Sequence, residues 1–183
     1  LYGADAIGGV IQIFTRRGVG APAPYFSLSY GRYNTTNISG GYGGQIGDTR
    51  FDVSAGLEDS DAFSTYRNAT GGFFDPYNPD KDAYRNVNLN AHVSHRFTDK
   101  LEIGAQFFHV GAKKQFDGSN CDTFFSSCTS GYDNRSRQTL DAYSAFVRVK
   151  PLSQWTSELK LGQSRDRLKS WRLDPSIPEE FVD

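Results

Sequence analysis

The feature that most constrains this chain is a two-residue alternation of apolar and polar side chains. It begins at Phe26, Leu28 and Tyr30 and recurs in seven segments as far as Leu161. Phe51, Val53, Ala55 and Leu57 alternate with Asp52, Ser54, Gly56 and Glu58. Val87, Leu89, Ala91 and Val93 alternate with Asn88, Asn90 and His92. Side chains that change face at every residue belong to strands with one apolar and one polar surface. The connections are lopsided. Gly47-Asp48, Thr98-Asp99-Lys100 and Pro151-Leu152-Ser153 are tight turns. The other ends carry a short Tyr33-to-Thr36 link and then long polar segments, 60–84, 116–138 and 165–183. Long amphipathic strands with short turns at one end and long loops at the other predict an all-β, antiparallel transmembrane β-barrel. A soluble sandwich would have to hide the same apolar face against a second sheet, with turns every 8–12 residues.

Composition agrees with that choice. Hydrophobic residues make up only 37%, whereas Gly (19), Phe (14) and Tyr (10) are plentiful. This suits half-apolar strands with aromatic ends better than a helical core. No run approaches 18 apolar residues, so no membrane helix is expected. A formal net charge of −1 argues against a general grip on nucleic acid. The histidines do not assemble: His92 and His95 have opposite parity, and His109 belongs to another strand. No nucleophile-elbow sequence is present, and the paired carboxylates lie in loops without an apolar pocket, so no enzyme is expected.

Ahead of the alternating region, Gly8-Gly-Val-Ile-Gln-Ile-Phe-Thr15 reads as a short strand of a compact unit, stopped by Arg16-Arg17. Residues 18–24 form a small-residue, Pro-containing linker. The division is 1–17, linker 18–24, and strands over 25–183. The chain opens at Leu1 in mid-pattern, contains no Met, and reads as part of a longer protein. Gly40-Gly-Tyr-Gly-Gly44 lacks the Lys and helix of a phosphate loop and suggests close approach of another segment to a strand.

Two local features carry chemistry. Cys121 and Cys128 sit in a polar segment with no zinc-spaced partner, and read as a local disulfide formed in an oxidising compartment; two free thiols are the alternative. Asn78, Asp80 and Asp82 place alternate side chains on one side of an extended segment, with Asp75 close by. Asp117 ends a strand next to the one that Asp82 leads into. Calcium takes six to eight oxygens from such groups. A solvated acidic loop is the competing reading, and the residues alone leave both open.

The run Leu1-Tyr-Gly-Ala-Asp-Ala-Ile-Gly-Gly-Val-Ile-Gln-Ile-Phe-Thr15 resembles the end of the plug domain of TonB-dependent outer-membrane receptors. Within them, Asp80-Lys-Asp82-Ala-Tyr84 and Gln115-Phe-Asp117 look like the calcium loops of the cobalamin receptors. The resemblance implies a plug end at 1–17, followed by the first seven or so barrel strands. It implies calcium as an ordering ion, held by Asn78, Asp80, Asp82, the Phe116 carbonyl, Asp117 and Gly118, with Asp75 as a looser candidate. The cysteine-bearing segment after Asp117 departs from the pattern. Arg16 and Arg17 would contact the polar barrel wall. The implied partners are outer-membrane lipid, the TonB-ExbB-ExbD energy-coupling complex and a small ligand such as cobalamin, taken up by a monomer in a Gram-negative outer membrane. A ferric-siderophore or haem receptor is the nearest rival, and a passive porin or adhesin barrel the next.

Overall fold

The computed structural model describes residues 17–64, 80–121, 128–172 and 181–182, without the side chains of 118–133, 172, 181 and 182. The expected strand at 8–15 and all of the unit at 1–17 except Arg17 lie outside the described residues. The architecture is all-β. Strands β1 (Ala23–Tyr30), β2 (Thr36–Ile46), β3 (Thr49–Ser60), β4 (Tyr84–Thr98), β5 (Leu101–Cys121), β6 (Cys128–Leu152), β7 (Trp155–Arg172) and the two-residue β8 (Phe181–Val182) pair in chain order, all antiparallel, in one open sheet. A single 3-10 turn at Arg32–Asn34 joins β1 to β2.

The register sorts the side chains as the alternation predicts. Val53 faces Ala91, Ala91 faces Phe107, Phe107 faces Tyr143, and all share one surface. Asp52, His92 and Gln106 line the other. The burial is inverted relative to a water-soluble protein. Among the described residues the buried class holds only polar side chains, Asp52, Asp82, His92, Ser94 and Ser136, and no hydrophobic one. Phe26 is 72% exposed and Leu161 70%. Burying a Leu or Phe is worth about 1.5–3 kcal/mol, so in water this outward face would forgo that gain in every strand. Hydrocarbon against it restores the gain. The sheet therefore has the form of an arc of barrel wall with its apolar surface outside. On the polar surface the Tyr25 hydroxyl donates to Asp52 Oδ1 at 3.0 Å.

The glycine run makes room, but the close neighbours are local. A Cβ on Gly41 would collide with the Tyr25 ring, and one on Gly43 with the Asp52 carboxylate. Gly44 lies against Ala21 and Pro22 of the linker. The Gln45 amide donates to the Gly20 carbonyl at 2.7 Å, so the linker is stitched to the foot of β2.

Two tight turns fall where the sequence puts them, at 47–48 and 99–100; the third lies at 153–154, because β6 runs on through Pro151 and Leu152. The opposite ends require a correction. Segment 116–138 is not mainly loop: β5 and β6 run through it and meet at the rung Cys121–Cys128. Likewise β7 continues to Arg172 instead of ending near 165. The physical reason is that strand pairing needs only backbone hydrogen bonds, so it persists through a polar stretch that lacks the apolar alternation. At about 3.3 Å per residue the 21 residues of β5 span roughly 70 Å, more than twice the ~30 Å hydrocarbon layer.

Candidate metal centre

At the long-arm end of the sheet, β4 starts at Tyr84, directly opposite Lys114 of β5. The ladder continues one step past the strand: the Gln115 amide donates to the Ala83 carbonyl at 2.9 Å. The Ala83 amide in turn donates to the Lys81 carbonyl at 3.0 Å. These bonds hold the segment before β4 against the upper part of β5. As a result Asp80, Asp82 and Asp117 converge, with carboxylate oxygens all within 4.8 Å of one another. Asp82 is 8% exposed. The Ser64 hydroxyl, from the segment after β3, reaches Asp117 Oδ2 at 3.4 Å.

A second chain of bonds ties the neighbouring loops together. The Tyr30 hydroxyl donates to Asn34 Oδ1 at 2.6 Å, and Asn34 Nδ2 to Asp61 Oδ2 at 2.7 Å. Lys81 Nζ reaches the same Asp61 oxygen at 3.1 Å. The Asn34 amide, and then Lys81, hold the Asp61 carboxyl below its ordinary value of 3.8. Stacking of Tyr33 on Phe63, with ring centroids 5.0 Å apart, closes the same corner. Lys81 is thus turned to Asp61, between two aspartates that meet Asp117.

Three carboxylates at this spacing repel one another unless they are protonated or countered by donors or positive charge, and each of the three has partners in the structure. All are hard oxygen donors and one is nearly enclosed, so the set fits part of a calcium shell and does not suit a soft metal.

Of the residues expected at this site, the fold brings together Asp80, Asp82 and Asp117. Asn78 and Asp75 lie outside the described residues. Phe116 precedes Asp117 but points to the opposite face, its ring 5.7 Å from Lys114 Nζ. Gly118 continues β5, opposite Tyr132. Cys121 and Cys128 are directly opposed at the end of the β5–β6 ladder; their side chains lie outside those described. Arg16 lies outside the described residues, and Arg17 is exposed. Ser64, Asp61 and Asn34 were not legible in the sequence, because their partners lie 20–53 residues away.

The chain is similar to the vitamin B12 transporter BtuB of Photobacterium profundum, 26% identical over 120 residues. That alignment covers 65% of this chain but only 19% of the transporter. The chain thus spans less than a fifth of the length of the transporter it matches, and the likeness supports a receptor family of that kind without reaching its cargo. No family model matches the chain, and no solved structure matches it.

Proposed function

We propose that this chain is part of a TonB-dependent outer-membrane transporter that imports cobalamin, with residues 1–17 closing its plug and 25–183 forming barrel wall. The observation that carries the reading is the inverted sheet: apolar side chains outside, polar ones enclosed, tight turns at one end and long arms at the other. The likeness to a vitamin B12 transporter supports the cargo class. Asn90 Oδ1, His92 Nδ1 and Ser144 Oγ, all on the polar surface, have no partner among the described residues. Such a surface suits a polar filling inside the barrel and not hydrocarbon. The long arms would receive the ligand outside the cell, and the energy-coupling complex would act on the plug from the other side.

In this reading Asp80, Asp82 and Asp117 would hold calcium, which supplies the positive charge that lets three carboxylates stay ionised together. Those residues then fix the segment 80–83 to the arm of β5, while Lys81 fixes it to Asp61. The ordered corner becomes part of the ligand-receiving surface.

The test is cobalamin binding by the full-length receptor with calcium and after chelation. Binding should weaken on chelation by about tenfold or more, the scale of losing one coupled interaction of ~1.4 kcal/mol. Asp80→Asn with Asp82→Asn should bind weakly and no longer respond to chelator. Binding that ignores the chelator would refute the calcium role. Tight binding of a ferric siderophore in place of cobalamin would refute the cargo.

A further inference from the structure

The outward surface of the sheet changes character along the strands. Around Ala91, Ala105 and Ala145 it is apolar, with a depression of about 790 Å³ bordered by Val93, Phe107 and Leu161. Nearer the long arms one rung of the register runs Asp59, Arg85, Lys113, Arg137, Lys169 across five strands. Four of its five members are cations in consecutive strands. The flanking rungs add Arg135 and Arg167 on the same surface. All six basic residues are exposed, although the whole chain carries a formal net charge of −1.

Like charges directly opposite one another destabilise a sheet, and here Arg85–Lys113, Lys113–Arg137 and Arg137–Lys169 are three such pairs in a row. Asp59 offsets only Arg85, at 3.5 Å. Among the described residues no carboxylate pairs with Lys113, Arg135 or Arg137. These three, with Arg85, Lys114 and Trp171, line a groove of about 390 Å³ that Asp59 and Asp61 also border, so its cations outnumber its carboxylates. Cations at this spacing around a groove are complementary to a polyanion. The position of the groove selects its source. It lies on the outward surface, continuous along β4 with Val87, Leu89, Ala91 and Val93, where the hydrocarbon layer would end. A tryptophan at its rim is typical of that boundary.

We propose that the groove between Arg85, Lys113, Arg135 and Arg137 binds the phosphate groups of an anionic lipid of the outer leaflet. The proposal rests on the membrane-wall reading above. It deepens that reading by giving the wall a specific lipid contact. Basic clusters beside a membrane-spanning segment draw phosphorylated headgroups in this way, and the lipid relieves the repulsion along the rung.

The test uses the full-length receptor in detergent, titrated by native mass spectrometry with bis-phosphorylated lipid A, with the dephosphorylated glycolipid and with inorganic pyrophosphate. The wild type should prefer the phosphorylated lipid by about tenfold or more, and the preference should fall as salt rises. Lys113→Gln with Arg135→Gln and Arg137→Gln should abolish the preference and leave cobalamin binding unchanged. Lys100→Gln with Lys150→Gln, at the opposite end of the strands, should preserve it. If the triple variant does not fold, Arg137→Gln alone should still lower the preference. Equal binding of both lipids, or a triple variant that binds as wild type, overturns the proposal while detergent solubility and cobalamin binding leave the membrane reading standing. Pyrophosphate bound as tightly as the lipid overturns the lipid assignment. A receptor that needs no detergent overturns both.

Discussion

Single residues reveal how the linker meets the wall. Gly18 is buried at φ +65°, and a Cβ there would strike the carbonyl oxygens of Phe51 and Gly44. Gly20 is also left-handed, at φ +83°, but has nothing within 4 Å. Gly20→Ala should therefore cost only the conformational term, about 1–2 kcal/mol. Gly18→Ala must add backbone displacement and cost clearly more. Thermal unfolding of the two full-length variants checks the order; equal midpoints would contradict it. The acidic corner makes a prediction in pH. Because the folded Asp61 carboxyl lies below its ordinary 3.8, its link to Asn34 and Lys81 contributes above that value and is lost as pH falls through the lower folded value. Protease resistance of the loops at 31–35 and 80–83 should hold at pH 5 and fall only below about 3.8. Loss of resistance already at pH 5 would show that Asp61 is not what ties them.

Strands and their connections show what was legible beforehand. The parity of β1 to β4 could be read because membrane and lumen impose opposite demands on successive residues. Val53 against Asp52 and Leu89 against Asn90 carry that demand locally. The upper halves of β5 and β6 could not be read. Phe116-Asp117-Gly118-Ser119-Asn120 has no apolar face, and the pairing there follows the β5–β6 hairpin through backbone bonds that leave no side-chain pattern. The acidic site was legible in part. Asp82 and Asp117 follow from the meander, since adjacent strands bring the start of one to the upper part of the next. Ser64 did not follow, because a hydroxyl after β3 has no pattern that distinguishes it. The rung Cys121–Cys128 adds a geometric ground to the disulfide expected from the sequence. Directly opposed residues of an antiparallel ladder have Cα atoms about 4.5–5.5 Å apart, within the ~4.4–6.8 Å that a disulfide spans. Mass spectrometry of the non-reduced receptor should find 121 and 128 in one cross-linked peptide that resists alkylation. Alkylation of both thiols without reductant would contradict this.

The whole chain makes one claim, that its apolar surface faces lipid and its polar surface the inside of a barrel. The cobalamin cargo, the calcium at Asp80, Asp82 and Asp117, and the lipid phosphate at Lys113, Arg135 and Arg137 all depend on it. The described sheet is open, and the outer edge of β1 has no partner within it. Unpaired edges inside a membrane are costly, so the wall requires further strands to close. The most direct measurement is a spin-label scan along β4 of the full-length receptor in lipid vesicles. Labels at Val87, Leu89, Ala91 and Val93 should relax with oxygen dissolved in the bilayer. Labels at Asn88, Asn90, His92 and Ser94 should be shielded from it and respond, if at all, to a water-soluble nickel reagent. Relaxation without a two-residue period, or with water access at the apolar positions, would contradict the account.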